Sequence, residues 1–439
     1  MKQVWDGRYT GIRMCNQLLE NIDRVPDLDP ELKKRYIGEA KVLRAYSYYE
    51  LYTKFGDIPY TTKVLSIKES MSIARTAKAT VIANVLADLD EVINGNYLPT
   101  SYDADNKGRI TRWAAMAIKA KIYLFEGNWT QVKNITSTIM TEGGFKLFGS
   151  YAGLFEIANE YNSEVILDAQ YRPTSREHQM MYVFLPPTLG GYSQLSPLQE
   201  LVDSYIMLDG KTIKETGTSF DESHPYANRD PRLKATVMYT GNSYTLADGT
   251  EVVINCEKGE GKDGYGVGSD CSATGYYIKK YWDNTYRATL YSGLNPILIR
   301  YADILLMNAE ALAELGELDK TAWDATIKPI RDRAGFTLAS ALEFPEGASK
   351  DKLIEIVRNE RRSELALEGH RHKDIIRWRI ADNVLNGWCH GLKTNDVVGT
   401  DDGYVRVENR TFNANKHYLW PIPQAERDLN GNLEQNPNW

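Results

Sequence analysis

Cysteine is scarce in this chain: Cys15, Cys256, Cys271 and Cys389 are the four among 439 residues. So few, so widely spread, exclude a disulfide-dense scaffold and leave the redox compartment open. Cys256 and Cys271 flank one loop, and the sequence is compatible both with their pairing and with two free thiols. Long apolar runs are missing too. A bilayer span needs ~18–20 consecutive apolar residues, and even Ile297 to Leu315 is interrupted by Arg300, Asp303, Glu310 and Glu314. The opening residues, Met1-Lys2-Gln3-Val4-Trp5-Asp6, carry neither the basic region nor the apolar region of a secretory signal. Either the protein is cytosolic or the numbering starts inside a longer precursor. Basic residues do not dominate: 52 Lys and Arg against 59 Asp and Glu leave a net charge of −7, with no basic block of the kind a phosphate backbone needs. Nucleic acid is thereby disfavoured as a partner.

What is present is ordinary for a folded protein. Apolar residues make up 42% and charged residues 25%, which disfavours disorder and fibrous architectures. At ~150 residues per domain the length allows one to three domains. Helical periodicity dominates both ends. Leu298, Ala302, Leu305, Ala309 and Leu312 place one apolar stripe on a helix that Gly316 stops. Val81, Val85, Leu89 and Val92 form a second stripe with Thr80 as its N-cap, and a third, Ala-rich helix runs from Thr111 to Phe125. Further helices are predicted over Trp5 to Ile22, Pro30 to Phe55, Thr130 to Met140, Thr321 to Arg333 and Lys350 to Glu368. Ala40, Ala115, Ala117 and Ala120 suit close helix approach, so the ends read as stacked helical hairpins of a degenerate tetratricopeptide kind. From about Arg172 to Asn295 the chain changes character. Pro173, Pro186, Pro187, Pro197, Pro225 and Pro231 accompany many Gly and Tyr, with only short apolar runs such as Glu164-Val165-Ile166-Leu167 and Glu251-Val252-Val253-Ile254. This is loop with short strands, the place where a ligand site is expected. The expected organisation is therefore mainly α: an N-terminal helical part over 1–160, an irregular ligand-binding part over 161–295 and a C-terminal helical part over 296–439, intertwined as one domain.

Several chemical motifs fail on context. Gly259-Glu260-Gly261-Lys262-Asp263-Gly264 fits G-x-G-x-x-G but opens no helix and belongs to no βαβ unit. Asp103, Asp105 and Gly108 begin like a calcium loop, yet Lys107 and Ala114 stand where further ligands belong, so a turn before the Thr111 helix is expected. His370 and His372 lie near Glu364, Glu368 and Asp374, but an i, i+2 spacing points helical side chains apart, and no metal is expected. Glu360, Arg361, Arg362, Glu364, Glu368, Arg371, Asp374 and Arg377 offer paired carboxylates of a glycosidase kind. Their alternation in sign reads better as a salt-bridge network.

Aromatic usage is more informative, with 28 Tyr and 9 Trp against 10 Phe. Tyr and Trp join a flat apolar face to a polar edge, which suits protein interfaces and sugar stacking alike. Tyr46, Tyr49 and Tyr52 fall on predicted helices and read as core. Tyr171, Tyr182, Tyr192, Tyr265, Tyr276, Tyr277 and Trp282 fall in the irregular middle and are better site candidates.

Taken in order, the motifs resemble the SusD/RagB family of nutrient-binding outer-membrane lipoproteins. The resemblance rests on Trp5, Tyr9, Ile12 and Asn16, on Gly38-Glu39-Ala40 with Leu43-Arg44-Ala45, and on Phe55-Gly56-Asp57-Ile58-Pro59. It continues with Gly108-Arg109, Ala117 to Leu124, Glu164-Val165-Ile166 and Asp230-Pro231-Arg232. Ile299 to Leu306, Arg333-Ala334-Gly335, Glu360-Arg361-Arg362, Glu368-Gly369, Arg377-Trp378, Pro421-Ile422-Pro423 and Gln435-Asn436-Pro437 complete it.

The resemblance implies four degenerate tetratricopeptide-like pairs carrying a loop-rich face, and a surface-exposed lipoprotein of the outer membrane. It implies binding without chemistry or cofactor: capture of an oligosaccharide or other nutrient for a SusC-like TonB-dependent transporter. Glu360 and its neighbours fall in a structural motif of the family. The aromatics after the Glu-Val-Ile strand belong to the ligand platform of sugar-binding members, and Tyr182 and Tyr192 stand nearest those positions. Tyr192, Tyr182, Trp282 and Tyr276 are thus the expected aromatic contacts, and Arg176, Gln194 and Asn228 the expected polar ones. The family's signal peptide, lipidated cysteine and a long segment ahead of the first helix are missing from this sequence. If that segment is truly absent, the binding face would be incomplete. Two rivals remain: a glycoside hydrolase, and a helical scaffold that binds only protein.

Overall fold

The computed structural model describes residues 1–285 and 290–439. It is mainly helical with short strands, and the chain forms two compact units, each assembled from discontinuous segments, the first of them from both ends of the sequence. The first comprises Met1–Gly144, His372–Leu385 and Phe412–Trp439; the second comprises Phe145–Arg371 and Asn386–Thr411.

In the first unit the helices Lys2–Asn21, Pro30–Phe55, Lys78–Asn94, Arg112–Phe125 and Trp129–Glu142 pack in sequence-adjacent pairs. Pro30 stands at the first position of its helix, where its missing N–H costs nothing, and Asp29 caps the start by accepting from the Leu32 N–H at 2.8 Å. Ala40, Ala115, Ala117 and Ala120 are buried at the helix contacts, as expected. Val81, Val85, Leu89 and Val92 are buried along one face. The cap of that helix differs from expectation. Thr80 lies inside it, and Asp57 satisfies its first donor by accepting from the Lys78 N–H at 2.7 Å. Asp103 accepts from the Asn106 N–H at 3.0 Å in a turn, and Thr111 caps the next helix. His372, at the other end of the unit, packs edge-on against Trp420, and burial pushes its pKa down to about 4.

In the second unit the Val165–Asp168 strand pairs antiparallel with Ile297–Arg300, closing a loop of more than a hundred residues. Leu298 therefore belongs to a strand, and the helix carrying Ala302, Leu305 and Ala309 begins at Tyr301 and ends at Gly316, whose φ is +74°. The stretch Thr321 to Arg333 is two helices, Lys320–Ala325 and Ile327–Ala334, separated at Thr326. Pro329 explains the break, because its ring would clash with the carbonyl four residues earlier in a continuous helix. The Lys350 helix stops at Glu364, and Leu367 at φ +63° turns Glu368 back into the interior. Two small ladders, Val237–Met238 with Tyr277–Ile278 and Ser243–Thr245 with Glu251–Val253, lie inside the irregular stretch. A three-stranded sheet, Gly387–Lys393, Tyr404–Arg410 and Thr400–Asp401 with Tyr404–Arg410 in the middle, stands where helix was expected. Cys256 and Cys271 are unpaired, and all four cysteines are free thiols.

The charged cluster is a buried ion lattice. Arg232 joins Asp230, Glu360 and Glu364 at 2.7–2.8 Å, and Arg300 joins Glu164, Glu364 and Glu368 at 2.6–2.7 Å. Arg331 adds Glu360, Arg333 adds Glu164 and Glu364, and Lys280 adds Glu368. Five carboxylates thus face five cations. Burial raises the Asp230 carboxyl in spite of Arg232, but at three of its neighbours the facing cations outweigh burial: Glu368 is held down at about 2 by Arg300 and Lys280, Glu364 well below the ordinary range by Arg333, Arg300 and Arg232, and Glu360 down by Arg232 and Arg331.

Removing one partner of such a lattice strands the others without solvent, at a cost of ~3–5 kcal/mol. Glu364→Ala is expected to lower unfolding stability by that amount in urea titration, with an unchanged midpoint refuting the lattice's role. Depressed carboxyl pKa values stabilise the fold above the unfolded-state value of 4.5. Stability is therefore expected to fall as pH drops from 4.5 towards 2, and pH-dependent calorimetric melting checks it.

Candidate functional site

Tyr182 and Tyr192 stack face to face, with ring centroids 4.2 Å apart and planes 28° from parallel. Local sequence builds the arrangement. Met181, Phe184 and Leu185 bury one side of the short Met180–Phe184 helix in the core of the second unit. Pro186 and Pro187 then turn the chain, and Gly190, at φ +83°, accepts a backbone geometry that other residues avoid. Gly191 presses against Leu185 so closely that an added Cβ would lie 2.1 Å from the Leu185 carbonyl oxygen. The return strand is fixed by the Tyr192 N–H donating to the Tyr182 carbonyl at 3.0 Å and the Leu195 N–H donating to the Val183 carbonyl at 2.9 Å. Tyr192 remains 40% exposed, with exposed Gln194 two residues on. The result is a rigid aromatic step presented to solvent, able to stack a flat ring with C–H faces.

The other candidates engage different neighbours. Trp282 is half-buried against Tyr244, and its indole N–H donates to the Thr245 carbonyl at 2.9 Å. Tyr276 is only 2% exposed, and its hydroxyl donates to Gln199 Oε1 at 2.5 Å, so it presents an edge rather than an open face. Burial first, and Tyr226 second, hold its phenol well above the ordinary pKa. The Arg176 guanidinium covers the Tyr171 ring at 5.3 Å. Asn228 is exposed, at φ +55°, and its carbonyl accepts from the Leu208 N–H. Tyr265 and Tyr277 serve the interior: Tyr277 is buried and donates to the Asp263 carbonyl at 2.5 Å, while Tyr265 packs half-buried on the same core.

Among the described residues no group of His, Cys, Asp and Glu is arranged to hold a metal ion. The glycines at 259 and 261 sit in left-handed turns without a helix behind them, so the phosphate-binding reading has no structural support.

Comparison with known proteins settles the family of the chain. A family model described as the SusD family matches residues 154–439, and one described as starch-binding and associating with the outer membrane matches residues 1–124. The chain belongs to the SusD family. A SusD-like protein, P25, from Formosa agariphila is 28% identical over 409 residues, covering 88% of this chain and 71% of that protein. A SusD-like carbohydrate-binding protein from Bacteroides fragilis superposes with a TM-score of 0.88 at 29% identity, over 99% of this chain and 86% of that one. A laminarin-binding SusD-like protein shares the fold with a TM-score of 0.69 at 24% identity, over 100% and 86% of the two chains.

Sequence reasoning passed over Tyr226, Tyr239 and Tyr404, which line a cleft of about 990 Å³ in the second unit. For Tyr404 a signal existed. Asp402 and Gly403 both have positive φ, the mark of a two-residue hairpin turn, and Val405-Arg406-Val407-Glu408 alternates as a strand does.

Gly191→Ala is expected to force the Leu185 and Tyr192 backbones apart. Overpacking of this kind costs ~1–3 kcal/mol, read as an earlier urea midpoint together with loss of near-ultraviolet circular dichroism from the stacked tyrosines. An unaltered midpoint and spectrum would show that the close approach does not set the step.

Proposed function

We propose that this chain captures an oligosaccharide at the outer-membrane surface, without transforming it, for delivery to a SusC-like TonB-dependent transporter. The observation that carries the reading is the Tyr182–Tyr192 step: a solvent-facing aromatic stack held by backbone hydrogen bonds and a glycine contact. Such a platform takes the apolar face of a pyranose ring, while Gln194 beside it is placed to meet hydroxyls. Membership of the SusD family, and the carbohydrate-binding description of the Bacteroides fragilis relative, support a glycan as the ligand class. The description of the model matching the N-terminal residues supports the outer-membrane setting. A lipid anchor and the transporter follow from the family resemblance.

The placement of the carboxylates supports capture without chemistry. Glu360 and Glu364 are buried and ion-paired, with their pKa values held low, whereas a general acid needs a raised one and access to substrate. Asp168 is the carboxyl a hydrolase reading would use, since burial pushes it up to about 6. It is 8% exposed and accepts from Asn295 Nδ2 at 3.1 Å, which fits a structural group.

Tyr192→Ala is expected to weaken oligosaccharide binding by ~1–3 kcal/mol, the range lost when a stacking aromatic is removed. Isothermal calorimetry against plant, host and microbial oligosaccharides measures it, with chromatography of each mixture for products. Unchanged affinity in a folded variant would refute the platform, and product formation would replace capture with catalysis.

A further inference from the structure

The second unit holds a second aromatic concavity. It has a volume of about 990 Å³, the size of a small-molecule site, and neither Tyr182 nor Tyr192 lines it. Tyr226 and Tyr239 stack at 4.0 Å, 18° from parallel, on one side. Tyr276 meets Tyr226 edge-on with their hydroxyls 3.2 Å apart. The other side is supplied by Tyr404 and the Leu392–Asp396 segment of the three-stranded sheet. That sheet is anchored against the core: the Leu392 N–H donates to the Thr274 carbonyl at 2.7 Å, and His390 Nδ1 lies 2.8 Å from Glu200 Oε1. The walls are therefore preformed.

The charges of the lining identify the ligand class. Arg229 is spent on the protein, donating to the carbonyls of Pro225, Val202 and Tyr205 at 2.7–2.8 Å. Lys393 is paired with Glu222 at 2.8 Å, and Lys258 with Asp396. Each of these cations already faces oxygen, while Glu257 and Glu260 add negative charge to the rim. An anionic ligand would meet carboxylates without a cation in reserve. A purely apolar ligand would bury the tyrosine hydroxyls and carboxylates without partners. Flat tyrosine faces with hydroxyl, amide and carboxylate groups at their edges instead match a neutral chain of linked sugar rings.

We propose that this cleft is a second saccharide-binding site, for a neutral oligosaccharide, independent of the Tyr182–Tyr192 step; the proposal rests on the glycan reading of this protein. One long glycan engaging both sites, or two short ones, gains avidity without tighter single contacts.

The test is calorimetric titration of the full chain with maltohexaose, laminarihexaose, cellohexaose, xylohexaose and mannohexaose, with oligogalacturonate as the charged comparator. Three variants accompany it, each shown to be folded by its thermal melt. Ala227→Trp fills the cleft from an exposed lining residue, Tyr404→Ala removes one wall, and Tyr192→Ala removes the step. At least one neutral hexaose is expected to bind at two sites per chain. Ala227→Trp is expected to remove one of them, Tyr404→Ala to weaken the same one about tenfold, as loss of a stacking ring does, and Tyr192→Ala to remove the other. If both cleft variants bind as the parent does and Tyr192→Ala abolishes binding, the cleft proposal falls and the step stands. Loss confined to the cleft variants, with Tyr192→Ala unchanged, supports the cleft and overturns the step. Silence of every neutral hexaose, or no effect of any variant, overturns both. Tighter binding of oligogalacturonate that Ala227→Trp abolishes overturns the neutral class.

Discussion

The second unit depends on a buried exchange of charge. Glu364 alone is shared by Arg232, Arg300 and Arg333, and through them it ties together segments far apart in sequence. These are the strand seam at Glu164 and Arg300, the helix start at Asp230, the Lys280 turn, the Ile327–Ala334 helix and the Lys350–Glu364 helix. An apolar cluster would tolerate sliding, because dispersion and hydrophobic contacts are not directional. Bidentate guanidinium pairs fix distance and angle together. Such a lattice adds little net stability over well-packed hydrophobic residues, since desolvation offsets most of the attraction, yet breaking it in part is costly. Its value here is register: the segments can close on one another in one way.

That register matters because so much of the second unit is irregular. From Tyr171 to Asn295 the described chain has only short strands and helices, so repeating hydrogen bonds cannot hold it. Three other devices do. Buried tyrosine hydroxyls donate to backbone carbonyls, as Tyr244 does to Ile278 and Tyr277 to Asp263. Glycines allow close approach where a Cβ would not fit, as Gly191 does against the Leu185 backbone and Gly275 against the Leu392 side chain. The core of Met181, Phe184, Val237, Tyr244 and Tyr276 lies beneath. The tyrosine abundance thus divides in two. Most of the rings are structural, and a few faces stay half-exposed.

Under the proposed capture function, this division is useful. Sugars bind weakly through each ring, and a preformed platform loses little conformational entropy on contact. The ion pairs around the cleft and in the lattice both keep charge engaged within the protein, which under the proposed function leaves stacking and hydrogen bonding to select the ligand.

The periodic helices, their alanine contacts, the alternating signs of the Glu360 region and the SusD resemblance were all legible in the sequence, because each rests on local spacing or on an ordered set of motifs. The expectation of helix failed where a distant partner intervened. Leu298 became strand because Val165–Asp168 pairs with it, Lys78 is capped by Asp57 rather than Thr80, and the sheet around Tyr404 displaced a helical reading that its Asp402-Gly403 turn should have corrected. Tyr182 and Tyr192 were selected by their place in the chain, but their stacking depends on a turn and a glycine contact that only packing reveals. Tyr276 and Trp282, equally plausible by position, are turned inward by hydroxyl and indole bonds to Gln199 and Thr245. Sequence by itself determined most of the periodic helices and which family the chain resembles, since those follow from neighbours a few residues apart or from an ordered set of motifs. Tertiary structure decided which aromatic faces stay open, since exposure is settled by residues distant in sequence, 77 positions away for Tyr276 and 37 for Trp282.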